Sequence, residues 1–165
     1  MTATEISDLK VLIVDSNVFI AKTLYSILDA FGVKKIIVCH SLEDAQKKYL
    51  TTELDCVFVD FIMENRSGIG FIKKIRTKPG NKNEQDVPII LDTGVTDIDT
   101  IVMARDAGVT EVIGKPFSPD QVLQKLTNAI KNKREFIDVD EYIGPNRRRR
   151  NSNDTDWSGD NDRRG

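Results

Sequence analysis

Four short segments of this 165-residue chain end in or turn at a charged or hydroxylated residue: Val11-Leu12-Ile13-Val14-Asp15, Cys56-Val57-Phe58-Val59-Asp60, Pro88-Ile89-Ile90-Leu91-Asp92-Thr93-Gly94 and Val112-Ile113-Gly114-Lys115-Pro116-Phe117. Each apolar run has the length of a buried strand, and a stretch with helical spacing follows it. In a parallel sheet covered on both faces, residues at the carboxyl ends of the strands converge on one crevice, where such sheets bind ligands. Two aspartates, Asp15 and Asp60, a hydroxyl, Thr93, and a lysine, Lys115, are therefore expected to meet there.

The elements that must hold them can be read from the same pattern. Apolar runs at 11–14, 36–39, 56–59, 87–91 and 111–113 alternate with helical stripes, among them Val18, Leu24, Ile27, Leu28 and Phe31, and Val122, Leu123, Leu126, Ala129 and Ile130. Five βα units in succession imply a parallel sheet with right-handed crossovers. Ser41, three residues before Asp44, reads as a capping-box-like helix start, and Ser118-Pro119 as an N-cap followed by proline at the first helical position. The polar connection 78–86, with Pro79, Gly80 and two asparagines, exceeds the usual ~2–6 residues of such a link. It reads as a mobile surface loop without a part in the site.

Length and composition narrow the classes. A chain of this size is one domain, burying roughly two-thirds of its unfolded surface. A net charge of −2 gives no global field for nucleic acid or an anionic membrane. Cys39 and Cys56 lie in apolar runs with no zinc or redox spacing, as core thiols of a reducing compartment do. The N-terminus lacks a basic and an apolar signal region, and no stretch approaches the ~18 apolar residues of a membrane span. The expectation is a cytoplasmic protein with an N-terminal extension at 1–9, a domain at 10–132 and a C-terminal extension at 133–165. Within that extension, 136–146 is apolar enough to dock, whereas 151–165 has only Trp157 as a hydrophobe and reads as disordered.

The set resembles the receiver domain of two-component response regulators, in register from about Lys10 to Lys131. The Lys115-Pro116-Phe117 step and the Asp60-to-Gly68 spacing are its most specific parts. The resemblance implies a flavodoxin-like, doubly wound (βα)5 sheet with strand order 2-1-3-4-5. It makes Asp60 the phospho-acceptor, Thr93 the hydroxyl that contacts the phosphoryl group, Lys115 its pairing lysine and Asp15 one of the acids that hold Mg2+. Ile62 falls where the family offers a backbone carbonyl to the metal. Gly94 and Val112 fall at positions that move in switching. An aspartate can attack phosphorus as a nucleophile. Mg2+ and Lys115 offset the charge of a dianion approaching an anion, and hard oxygen ligands suit Mg2+.

Several residues depart from the family pattern. Ser16 stands where a second acid ligates the metal, so one negative charge is missing and Mg2+ binding is expected to be weak. Asp92 is not expected to compensate, because alternation points it away from the face that Thr93 uses. Val112 replaces a Tyr or Phe whose ring moves in switching. Ile62 and Val95 are apolar where a hydrolytic water would approach, which favours a long-lived phosphoryl group. Glu64 replaces a common proline, and Gly68 is read as a position that tolerates positive φ. His40, the only histidine, reads as a loop residue.

Tyr142-Ile143-Gly144-Pro145-Asn146-Arg147-Arg148-Arg149-Arg150 resembles the Tyr-x-Gly-Pro-Asp-Arg-Arg-Arg tail of a group of alphaproteobacterial single-domain receivers. Arg147, Arg148, Arg149 and Arg150 are read as a protein-contact element and not a nucleic-acid one, since neither helix nor interleaved aromatics accompany them. The resemblance thus implies a bacterial stand-alone regulator, not an enzyme beyond self-catalysed phosphorylation and dephosphorylation. Its partners would be a histidine kinase or phosphotransfer protein and a protein target, docked by the fourth strand, fourth helix and fifth strand. A degenerate, phosphorylation-independent adaptor and a phosphate sink in a relay are the alternatives.

Overall fold

The structure, a computed structural model, describes residues 1–64, 66–78 and 82–148. In chain order the elements are α1 (Ala3–Asp8), β1 (Lys10–Val14), α2 (Val18–Ala30), β2 (Lys35–Cys39), α3 (Leu42–Thr51), β3 (Cys56–Asp60), β4 (Ile62–Met63), β5 (Arg66–Ser67), α4 (Gly68–Thr77), β6 (Ile89–Thr93), α5 (Ile98–Asp106), β7 (Glu111–Gly114), α6 (Pro119–Lys131), β8 (Phe136–Val139) and β9 (Tyr142–Pro145). Five strands form one parallel sheet in the order β2-β1-β3-β6-β7, which is 2-1-3-4-5 when only its own strands are counted. The flavodoxin-like expectation holds.

Alternation along these strands decides what each face carries. Val11 and Ile13, Cys56 and Phe58, Ile90 and Ile113 pack with Ala21, Leu24 and Leu28 of α2 and with Val122, Leu126 and Ala129 of α6. Leu12, Val14, Val57, Val59, Ile89 and Leu91 pack on the other side against Tyr49 of α3, Ile72 and Ile75 of α4 and Ala104 of α5. Burial on both faces is why the strands read as unbroken apolar runs. Helix starts follow the chemistry of their caps. Ser41 accepts from the Asp44 N–H, and Ser118 and Gln121 make a reciprocal capping box ahead of Pro119.

Three segments outside the expected pattern are tied to the core. The N-terminal residues form α1, capped reciprocally by Thr2 and Glu5, with Ile6 and Leu9 buried against the α2–α6 face. Of the connection 78–86, residues 79–81 lie outside the described residues, but Asn83 is buried. It accepts from the Leu54 N–H at 2.7 Å and donates to the carbonyls of Tyr49 and Thr52. That end of the connection is therefore a fixed structural link rather than a free surface loop. Arg76, 1 % exposed, donates from Nε to the Gly108 carbonyl at 2.9 Å and from its guanidinium to those of Gln85 and Val87. Burial pulls its pKa down to about 10.

The C-terminal residues add an antiparallel hairpin, β8–β9, that packs against α4. Its seat is a close approach of two glycines: a Cβ on Gly108, itself at φ +89°, would lie 2.6 Å from the Ile143 carbonyl oxygen and 3.2 Å from the Gly144 Cα. Tyr142 donates its hydroxyl to the Pro145 carbonyl at 2.7 Å, and Arg134 donates to the carbonyls of Asn146 and Thr110. The Tyr142-Ile143-Gly144-Pro145 run is thus a docking element of the domain.

Candidate functional site

The ends of β1, β3 and β6 bring three carboxylates onto the α2–α6 side of the sheet. Asp15 continues the parity of Ile13, Asp60 that of Phe58 and Asp92 that of Ile90, and Asp60 and Asp92 are direct register partners. One oxygen from each of Asp15, Asp60 and Asp92 lies within 4.8 Å of the others. Lys115 reaches all three from the turn after β7: Nζ is 2.9 Å from Asp60 Oδ1, 3.3 Å from Asp15 Oδ2 and 3.3 Å from Asp92 Oδ1. Its backbone N–H donates to the Thr93 carbonyl at 2.7 Å, and the peptide bond to Pro116 is cis.

Asp92 corrects the sequence expectation. Alternation does point it away from the face of Thr93, but the face it points to is the one that Asp15 and Asp60 occupy. It is 1 % exposed, and among the described residues neither of its oxygens accepts a hydrogen bond, although the Lys115 ammonium lies 3.3 Å from Oδ1. The available signal was the charge itself: an aspartate inside Ile-Ile-Leu-Asp-Thr, two residues after Ile90, has the same phase as Asp60 two residues after Phe58.

The electrostatics follow from this crowding. Burial pushes the Asp92 carboxyl up to about 7, with Lys115 opposing and Asp15 and Asp60 adding to the rise. Burial likewise raises Asp15, against the Asn17 N–H, which donates to its Oδ1 at 2.7 Å, and against Lys115. For Lys115 burial works downward, but Asp92 foremost, then Asp60 and Asp15, outweigh it and hold the ammonium at about 12. Three carboxylates sharing one lysine leave excess negative charge in a poorly hydrated place. Hard oxygen donors with unfilled lone pairs fit Mg2+, and Asp15, Asp60 and Asp92 are the residues that would hold it.

The other sequence candidates are placed as follows. Ser16 is half-buried beside Asp15, at the start of the turn in which Asn17 caps α2. Ile62 pairs with Ser67 in the short β4–β5 ladder, its side chain 55 % exposed, and Val95 is exposed as well. Thr93 ends β6, one residue after Asp92. Its hydroxyl accepts from the Val95 N–H at 3.0 Å and donates to the Val95 carbonyl at 2.9 Å, so it is engaged within its own turn. Gly94 stands where an added Cβ would meet open space. Val112, half-buried, packs against the α3–α5 side of the core.

Two loop readings change. Glu64 takes φ +47°, a left-handed conformation closed to proline, so this loop takes a path that the proline of other family members could not follow. Gly68 has no positive φ. Its need for glycine is contact, since a Cβ there would lie 2.2 Å from the Asp60 carbonyl oxygen. His40, unassigned by the sequence, donates from Nδ1 to the Asp15 carbonyl at 2.8 Å and fixes the backbone of that strand end. In the tail, Arg147 stacks over the Tyr142 ring at 4.0 Å and lies 3.6 Å from Asp106, while Arg148 binds the Asn146 side chain through its backbone N–H. Arg149 and Arg150 are outside the described residues.

Comparison with known proteins agrees with this geometry. Residues 11–127 match the response regulator receiver domain family. The chain is 31 % identical over 122 residues to a probable chemotaxis protein CheY of Rhizobium etli, covering 74 % of this chain and 89 % of that one. It is 29 % identical to a probable transcriptional regulator, ycf27, of Cyanidium caldarium over 73 % of this chain and 45 % of that protein, so it spans about half the length of such relatives. The chemotaxis protein CheY4 of Vibrio cholerae superposes with a TM-score of 0.67 at 25 % identity, covering 73 % of this chain and 98 % of that structure. No helix among the described residues is long and apolar enough to cross a membrane. By fold, by strand-end chemistry and by this match over most of its length, the chain belongs to the response regulator receiver domain family.

Proposed function

We propose that the chain is a stand-alone response regulator that takes a phosphoryl group on Asp60 from a histidine kinase or phosphotransfer protein and signals by docking on a protein target in the cytoplasm. The observation that carries this reading is the 2.9 Å contact of Lys115 Nζ with Asp60 Oδ1 inside a buried acidic set. An Asp60 oxygen attacks phosphorus, the bond from phosphorus to the donor's imidazole nitrogen breaks, and the imidazole leaves with the electron pair. Lys115 compensates the charge gained and stays protonated throughout, its pKa held far above neutrality. A cation bound by Asp15, Asp60 and Asp92 would supply charge neutralisation of the incoming phosphoryl oxygens.

A second reading, a phosphorylation-independent adaptor, is favoured by one feature: the Thr93 hydroxyl is already satisfied within its own turn by Val95. The neutral Ser16 and the ringless Val112 point the same way; a phosphate sink needs the acceptor without the switch. Phosphotransfer from a phosphohistidine donor, run beside partner capture with the Asp60→Ala protein, separates the three. A switch gains label at Asp60 and changes partner capture. A sink gains label without that change. An adaptor gains no label, which would overturn the proposed reading.

A further inference from the structure

Among the described residues, Asp92 is the one carboxylate of the strand-end set that the domain leaves without a hydrogen bond. Asp15 Oδ1 accepts from the Asn17 N–H, and the Lys115 ammonium donates to Asp60 Oδ1 at 2.9 Å and to Asp15 Oδ2 at 3.3 Å. Asp92 is 1 % exposed, points into the same cluster and accepts on neither oxygen. A buried carboxylate with open lone pairs is costly in a finished core, and a ligand accounts for it. Three acids from three strand ends face one ammonium, and their hard oxygen donors suit a divalent cation. Ser16, neutral and half-buried in the turn after β1, supplies none of this charge.

Asp92 also sits where a change at its side chain is passed on. Its carbonyl accepts from the Phe61 N–H at 2.9 Å, next to Asp60, and one residue on the Thr93 carbonyl accepts from the Lys115 N–H at 2.7 Å. Thr93 and Val95 then close the turn that leads from β6 to the Asp97 cap of α5, and Thr96 Cγ2 lies 3.3 Å from where a Cβ on Gly114 would stand. We propose that Asp92 is the cation ligand that residue 16 does not provide, so that Mg2+ binding acts directly on the end of β6 and resets the Thr93–Val95 turn without a phosphoryl group. This inference rests on the reading of the site as a cation-holding receiver centre and adds a regulation of that site by the cation alone. It does not rest on transfer to Asp60.

The test uses the unphosphorylated full chain with Mg2+ alone, so a failure of Asp60 to accept a phosphoryl group, which bears on the proposed function, leaves its readouts intact. In calorimetry, the isosteric Asp92→Asn is expected to weaken Mg2+ binding about tenfold or more, through one carboxylate removed from a confined site, while Ser16→Ala changes it less than about twofold. In amide NMR spectra, saturating Mg2+ is expected to shift the Thr93, Gly94 and Val95 signals of the parent chain. Ser16→Asp combined with Asp92→Asn is expected to restore the affinity, by returning an acid to the turn after β1, but not those shifts. That pair of results separates ligation by Asp92 from a change in charge alone. A parent chain that binds no Mg2+, an Asp92→Asn affinity equal to the parent's, or an equal loss in Ser16→Ala would overturn the proposal. Shifts at 93–95 that persist in the saturated double variant would overturn it as well, by assigning the response of the turn to Asp15 and Asp60.

Discussion

Asp92 sets how much charge the site holds, and it acts on both stability and metal binding. Its carboxyl is raised to about 7 in the folded chain, against about 3.9 for an ordinary aspartate. Well below about pH 4 both states are protonated and the ionisation penalty vanishes. As pH rises toward 7 the unfolded chain gives up its proton more readily, so folding is disfavoured, and above 7 the penalty is complete. The rise from about 3.9 to about 7 sets an upper bound of about 4 kcal/mol. Without divalent cations, Asp92→Asn is expected to be more stable than the parent at pH 8 and not at pH 4, in urea melts at the two values. An equal difference at both would contradict the assignment. Ser16→Asp is expected to tighten Mg2+ binding about tenfold or more, through one added carboxylate in a confined site, as read by calorimetry; unchanged affinity would mean that the cation sits away from the β1 turn. Asp15, Asp60 and Lys115 were legible in the sequence because each ends a strand. Asp92 was not, because its face was judged from Thr93, whose hydroxyl turns back on Val95, and not from Asp60.

The strands and helices of the sheet were legible because each strand, buried on both faces, is an unbroken apolar run and most helices open on a Ser, Asn or Asp cap. The β8–β9 hairpin was visible only as an apolar stretch, since its docking depends on a tertiary coincidence: Gly108, at the end of α5, and Gly144 must touch. Likewise Arg76 reads as an ordinary helix residue until three carbonyls from two other segments surround it. Gly108→Ala adds a Cβ at positive φ, into the Ile143 carbonyl. A loss of about 1–3 kcal/mol is expected, with hydrogen exchange of the hairpin amides accelerated more than that of β1 and β3. Uniform acceleration across the sheet would show that the hairpin is not a separable unit.

For the whole molecule, packed structure continues past 132, where the helical pattern ends, into the β8–β9 hairpin. The hairpin covers the edge around Val87, Thr110 and Gly108, and Arg134 and Arg76 satisfy carbonyls there. Truncation after residue 132 is therefore expected to lower the denaturation midpoint while leaving the Asp60 site assembled; a truncated chain as stable as the full one would return the boundary to 132. The acidic site lies at the opposite, carboxyl end of the strands from the seat of the hairpin. Whether the site performs phosphoryl chemistry is read most directly from the intact mass of the full chain after incubation with acetyl phosphate, with and without Mg2+, beside Asp60→Ala. One phosphoryl adduct is expected, dependent on Mg2+ and absent from Asp60→Ala. An unmodified full chain, or an adduct that persists in Asp60→Ala, would contradict the assignment of Asp60 as the acceptor.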